Sequence, residues 1–150
     1  LGVPFARRGA RFDDYMVAMK KVWSGDVVEH ESDFLSWHGF KSYPLPAKKS
    51  DLPIIMGGTA GKIFQRVAKY GNGWFVPTIT NDELRGNLKK LRQACADEGR
   101  NYDDIELTAV VDPEGGADAI KELSDLGVAR VGCMNGGPDA IKAIGDTYIR

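Results

Sequence analysis

Long apolar runs are missing from this 150-residue chain, since none approaches the ~18 residues that a membrane-spanning helix needs. An excess of one charge is missing too. Lys and Arg number 20 against 21 Asp and Glu, for a net charge of -1, which leaves no electrostatic case for nucleic acid or an anionic membrane surface as partner. Cysteine is scarce. Cys95 and Cys133 lie far apart in a helix-like and a strand-like pattern, so they read as small core residues of a reduced, cytoplasmic protein, with a disulfide as the lesser alternative. The opening Leu1-Gly2-Val3-Pro4-Phe5 has no basic region followed by a long apolar core and does not read as a signal peptide. Several catalytic signatures are absent as well. There is no G-x-S-x-G elbow, neither cysteine sits in a nucleophile motif, and His30 and His38 do not have the HExxH spacing of a zinc site.

What remains is ordinary globular material, 43% apolar and 27% charged, enough for one buried core. The chain starts with Leu1 and ends directly on a helical pattern, so it reads equally well as part of a longer protein. Phe12, Tyr15, Met16, Met19, Val22 and Trp23 recur at helical spacing up to Ser24-Gly25-Asp26. From Val27 to Pro46 the residues turn β-branched, aromatic and turn-forming, and they predict an irregular hairpin or excursion.

A different rhythm follows. Pro53–Met56, Trp74–Val76, Ile105–Val111 and Val128–Met134 read as short strands. Helices lie between them, with faces marked by Ile63, Phe64 and Val67, by Leu84, Leu88 and Leu91, and by Ile120 and Leu123. Thr80-Asn81-Asp82-Glu83 has capping-box form, and Pro138 opens a last helix carrying Ile141, Ile144 and Tyr148. Apolar strands alternating with amphipathic helices imply a parallel sheet covered by helices. Two architectures fit that pattern: a doubly wound open sheet, or part of a (β/α)8 barrel, whose full length of ~250 residues exceeds this chain.

The segment with the most chemistry in it is Gly57-Gly58-Thr59-Ala60, which follows the first of these strands. Glycines there let the backbone come close to a ligand. A helix starting at Thr59 or Ala60 would point free N–H groups and its positive dipole end at the same place, and the Thr59 hydroxyl would add a donor. The simpler reading is a strand-to-helix turn that needs glycine only for its geometry. Asn135-Gly136-Gly137-Pro138 repeats the arrangement later and reads chiefly as a cap and turn. His30, Glu31, Asp33 and His38 read as surface or hairpin residues, with no metal site expected, and neither histidine shows an acidic partner at a strand end. Arg7, Arg8 and Arg11 read as a solvated helix start, although Arg8 is placed to reach a substrate carboxylate. Trp74 reads as core.

The segments Leu1-Gly2-Val3-Pro4-Phe5, Arg8-Gly9 and Val22-Trp23-Ser24-Gly25 resemble the middle of luciferase-like monooxygenases. Leu52-Pro53-Ile54-Ile55-Met56-Gly57-Gly58, Arg66-Val67-Ala68 and Tyr70-Gly71-Asn72-Gly73-Trp74 are similar to that family's most recognisable stretch, with Asn72 where the family usually has Asp. The opening most resembles the branch that uses the deazaflavin coenzyme F420. The resemblance is strongest over residues 1–25 and 52–76 and thins after residue 100.

The resemblance implies the C-terminal half of a (β/α)8 barrel, with residues 26–46 as an insertion and the whole chain, 1–150, as one partial domain lacking its N-terminal half. It implies F420 as cofactor, with FMN as the alternative, its phosphate near Gly57, Gly58, Thr59 and Ala60. No catalytic residue is nominated, because most residues around the chemistry would come from the other half. The implied activity of the intact protein is hydride transfer between a deazaflavin and a small organic substrate, or monooxygenation if the cofactor is FMN. The fragment alone is expected to be inactive. Two rivals stand beside it: a non-redox α/β domain that binds a phosphate ligand, and a remnant that dimerises through open sheet edges.

Overall fold

The computed structural model describes residues 4–77, 79–111, 116–133 and 137–148. They form two compact units, Leu1–Pro53 and Ile54–Arg150.

In the first unit, helix α1 (Arg8–Trp23) starts after Arg7, whose left-handed φ of 56° breaks the chain direction, and it has no side-chain cap. Lys20 and Lys21 sit in its last turn, where the helix dipole favours positive charge. Strands β1 (Val28–Glu31) and β2 (Ser36–Phe40) pair antiparallel, with His30 opposite Trp37 and a register irregularity between Val28 and His30, so of the expected irregular hairpin or excursion it is the hairpin that forms. Ser32 shapes the loop between them, its Oγ accepting from the backbone N–H groups of Phe34 and Leu35 at 3.1 and 3.0 Å.

Asp14 of α1 holds this hairpin. Its Oδ1 accepts from His30 Nε2 at 2.8 Å and its Oδ2 from the Ser32 hydroxyl at 2.8 Å. His30 is only 5% exposed, and its ring stacks on Trp37 with centroids 5.0 Å apart. The expectation of a surface histidine without an acidic partner is therefore overturned for His30. A helical carboxylate sixteen positions away in sequence supplies its partner. His38 does lie on the surface, 3.9 and 3.8 Å from Glu29 and Glu31.

The second unit alternates strand and helix: β3 (Ile55–Gly57), α2 (Ile63–Tyr70), β4 (Gly73–Phe75), α3 (Asn81–Asp97), β5 (Glu106–Val111), α4 (Gly116–Asp125), β6 (Arg130–Cys133) and α5 (Pro138–Tyr148). The four strands form one parallel sheet in the order β3-β4-β5-β6. This order separates the two candidate architectures. Parallel crossovers are right-handed, so a strand order that advances always in one direction keeps its helices on one face, as in a barrel. A doubly wound sheet needs a reversal of order to cover both faces.

The core lies on the helical side. Met56, Trp74, Leu107 and Ala109 of the strands are buried there, as are Phe64, Val67 and Ala68 of α2 and Leu84, Leu88 and Leu91 of α3. On the other side Ile55 and Phe75 stay 41% and 40% exposed. Strands apolar on both sides suggested helices over both; in a barrel the second face is instead the interior, filled by side chains from other strands. Cys95 is buried on α3 with a free thiol, as expected of a small core residue. The side chain of Cys133 lies outside the described residues.

The Thr80 capping box forms as the sequence suggests. Glu83 N–H donates to Thr80 Oγ1 at 3.2 Å, and the Thr80 N–H donates to Glu83 Oε2 at 2.8 Å. The Thr80 backbone N–H and then its hydroxyl hold the Glu83 carboxyl below the ordinary 4.5.

Two measurements check this description. Asp14→Ala should lower stability by about 1–3 kcal/mol in chemical denaturation, because it strips His30 of its buried partner; Ser32 keeps Leu35 O as a fallback at 3.1 Å. A variant as stable as wild type would show that the hairpin is not held this way. A carboxylate whose pKa is depressed in the fold stabilises above its unfolded value, and that contribution is lost as pH falls through the folded one. The wild-type Tm should accordingly fall more steeply than that of Glu83→Gln from pH 4.5 downward, and parallel curves would count against the capping box.

Candidate functional site

The Gly57-Gly58-Thr59-Ala60 segment lies at the C-terminal end of β3, the sheet edge where α/β folds place ligands. Gly57 is the last strand residue, and all four side-chain positions are exposed. Gly58 has φ 102°, a setting that L side chains rarely adopt, and a Cβ built on it would meet no atom within 4 Å. The turn is thus glycine-dependent in its backbone and open to the outside.

One expectation fails here. The following helix starts at Ile63, not at Thr59 or Ala60. Gly61 also has a positive φ, 63°, and with Gly58 it brackets a non-helical bend that delays the first right-handed turn. The donors at the bend are therefore individual peptide N–H groups and the Thr59 hydroxyl, with Lys62 beside them at the helix start. No hydrogen bond to the Thr59 N–H or hydroxyl is found among the described residues.

The support beneath the turn is extensive. Trp74 is fully buried, packs edge-to-face on Phe64 at 5.3 Å, and donates its indole N–H to the Gly58 carbonyl at 2.9 Å. Asn72 ties the next strand to the first: its N–H donates to Ile54 O at 2.7 Å and its Oδ1 accepts from Ile54 N–H at 3.0 Å. An aspartate at position 72 would offer the same acceptor oxygen, so the departure from the family pattern leaves this bond intact. Arg100 donates to the carbonyls of Ala68 and Gly71, closing the end of α2.

The other nominated residues have surroundings of their own within each unit. In the second unit, Asn135 and Gly136 lie outside the described residues, and Gly137 is exposed just before α5. In the first unit, Arg7 pairs with Asp33 at 2.8 Å, Arg11 donates to Pro4 O at 2.8 Å, and the Arg8 guanidinium lies 4.0 Å over the Phe5 ring. Among the described residues no group of three or more His, Cys, Asp or Glu is placed to hold a metal. Sequence reading missed a groove of about 520 Å³ on the first unit, lined almost wholly by apolar side chains such as Met19, Trp23, Leu35, Trp37 and Phe40. The recurrence of Trp37 and Phe40 opposite the α1 stripe was its only sequence signal. It offers little for anion binding, and volume alone does not make it the better candidate.

An F420-dependent glucose-6-phosphate dehydrogenase of Mycobacterium avium is 28% identical over 108 residues, covering 68% of this chain and 30% of that protein. The chain spans 44% or 45% of the length of uncharacterized mycobacterial relatives that it matches more fully. In fold it matches the coenzyme F420 dependent tetrahydromethanopterin reductase of Methanopyrus kandleri, with a TM-score of 0.76 at 16% identity over 91% of this chain and 61% of that one. It also matches a riboflavin lyase solved with modified FMN, with a TM-score of 0.65 at 19% identity over 83% of this chain and 34% of the other. These likenesses establish the fold as an α/β parallel sheet forming part of a luciferase-like barrel. The family model for luciferase-like monooxygenases matches residues 1–124, and with the strand order and the turn already described, the chain belongs to that family.

Proposed function

We propose that the chain is the C-terminal part of an F420-dependent oxidoreductase and that its Gly57-Gly58-Thr59-Ala60 turn holds the phosphate of the cofactor's tail. The observation that carries the reading is Gly58, whose backbone setting L side chains rarely adopt and which has open space where a Cβ would stand. The residues fit the group. The bend offers peptide N–H donors and the Thr59 hydroxyl, and Lys62 adds positive charge next to it. Family membership and the F420-dependent relative support F420 as the cofactor, with FMN as the alternative.

A bound deazaflavin would supply a carbon centre able to carry a hydride to or from a small organic substrate, and a bound flavin would add chemistry with oxygen. This chain's own part is to bind and orient. Backbone donors would neutralise the phosphate and fix the tail, and the exposed sheet face around Ile55 and Phe75 would form part of the barrel interior below it. The remaining strands of the barrel, and the groups that contact the reacting ring, belong to an N-terminal half outside these 150 residues. The substrate is a small organic molecule, and the chain alone is inactive. Its balanced charge and the absence, among the described residues, of a helix long and apolar enough to cross a membrane support a cytoplasmic enzyme without nucleic-acid partners. The intact enzyme is proposed to act as a homodimer.

Fluorescence titration tests the turn. Cofactor fluorescence should change on addition of the chain, and Thr59→Val, which removes the hydroxyl at constant shape, should weaken binding by roughly tenfold, the equivalent of about 1.4 kcal/mol. Unchanged affinity in that variant would remove the hydroxyl from the site, and no response from either F420 or FMN would sink the cofactor reading in this chain. Gly58→Val is a less clean probe, because its positive φ strains any side chain with or without a ligand.

A further inference from the structure

The glycine turn owes its orientation to a residue sixteen positions later in the chain. Trp74 has no exposed surface, and its indole Nε1–H donates to the Gly58 carbonyl at 2.9 Å. A peptide unit is planar and trans, so its C=O and N–H point in opposite directions. Holding the Gly58 oxygen against the core therefore aims the N–H of Thr59 away from the core. Without that bond the peptide plane is freer to swing on its Gly58 side, where the chain holds φ 102° and no side chain restricts rotation. The N–H so aimed meets no acceptor among the described residues, and the space over Gly58 is open.

From these contacts we infer that Trp74 is a positioning residue for anion recognition: its indole N–H fixes the Gly58–Thr59 peptide plane so that the Thr59 N–H is presented to the phosphate of a bound phosphate ester. The inference rests on the cofactor-phosphate reading above and deepens it. Trp74 acts through Gly58. The bond also solves a packing problem, since a buried indole N–H needs some acceptor. The two roles differ in what they predict for ligands with and without phosphate.

Trp74→Phe keeps an aromatic ring against Phe64 and deletes the donor. Its affinity is to be compared with that of the wild-type chain for FMN and riboflavin, and for F420 and its phosphate-free deazariboflavin core. The expected result is a loss of about fivefold or more for the phosphate-bearing ligand, with the phosphate-free counterpart changed by less than about twofold. Equal losses for both would make Trp74 a structural residue only, and no loss in a folded variant would overturn the inference outright. A wild-type chain that binds neither cofactor would overturn the cofactor reading and this inference together, whereas wild-type binding that ignores the phosphate would overturn the inference and leave cofactor binding standing. If the phenylalanine variant does not fold, the wild-type amide spectrum decides. The Thr59 N–H resonance should move on adding FMN and not on adding riboflavin, and an unmoved Thr59 resonance would refute the role.

Discussion

Strand β4 lies so close to its neighbours that position 73 admits no side chain. A Cβ on Gly73 would stand 2.6 Å from the Glu106 carbonyl oxygen and 2.6 Å from Ile55 Cδ1, well inside any contact a packed core tolerates. This close approach fixes the level at which β4 meets both β3 and β5, and with it the depth of Trp74. The indole then reaches back to the Gly58 carbonyl while its ring meets Phe64 of α2. One constraint in the sheet thereby sets the strand pairing, the path of the turn and the seat of the helix that follows.

The same sheet explains why the unit has two unlike faces. Sequential, right-handed crossovers place the helices on one side, where Leu84, Leu88 and Leu91 complete a dry core. On the other side the apolar Ile55 and Phe75 stay partly exposed among the described residues of this unit, as suits a face that forms a barrel interior. A ligand at the C-terminal edge of such a sheet meets backbone groups from the turns, and the residues beneath them maintain the barrel. The candidate site follows this division. Gly58 and Thr59 are exposed, while Trp74, packed on Phe64, bonds the Gly58 carbonyl from below.

The hairpin of the first unit is held on a similar principle with different chemistry. A carboxylate on a helix satisfies two hairpin groups at once, and a stacked Trp37 covers the histidine. Buried polar groups of this kind are stabilising only when each finds its partner. Asp14 provides for Nε2 of His30 and the hydroxyl of Ser32, while Nδ1 of His30 is buried without a hydrogen-bond partner among the described residues.

Local features were legible in the sequence because their causes are local. Helical spacing from Phe12 to Trp23, the Thr80–Glu83 capping box, Pro138 at a helix start and the alternation of four strands with helices each depend on residues a few positions apart. The glycine turn was legible as an exception to side-chain packing, and Trp74 as core. The start of α2 is not legible there, because the positive φ at Gly61 that continues the bend begun at Gly58 leaves no mark in the sequence. The burial of His30 was misjudged because its partner lies on another element. By itself, then, the sequence determined element type, the order of strands along the chain and the place of the turn, since propensity, capping and glycine freedom act over a few residues. Only the tertiary structure decided that the sheet is wound in one direction, that Asp14 holds His30, and that Trp74 orients Gly58, because hydrogen bonds across sixteen residues depend on how the chain packs and leave no period in the sequence.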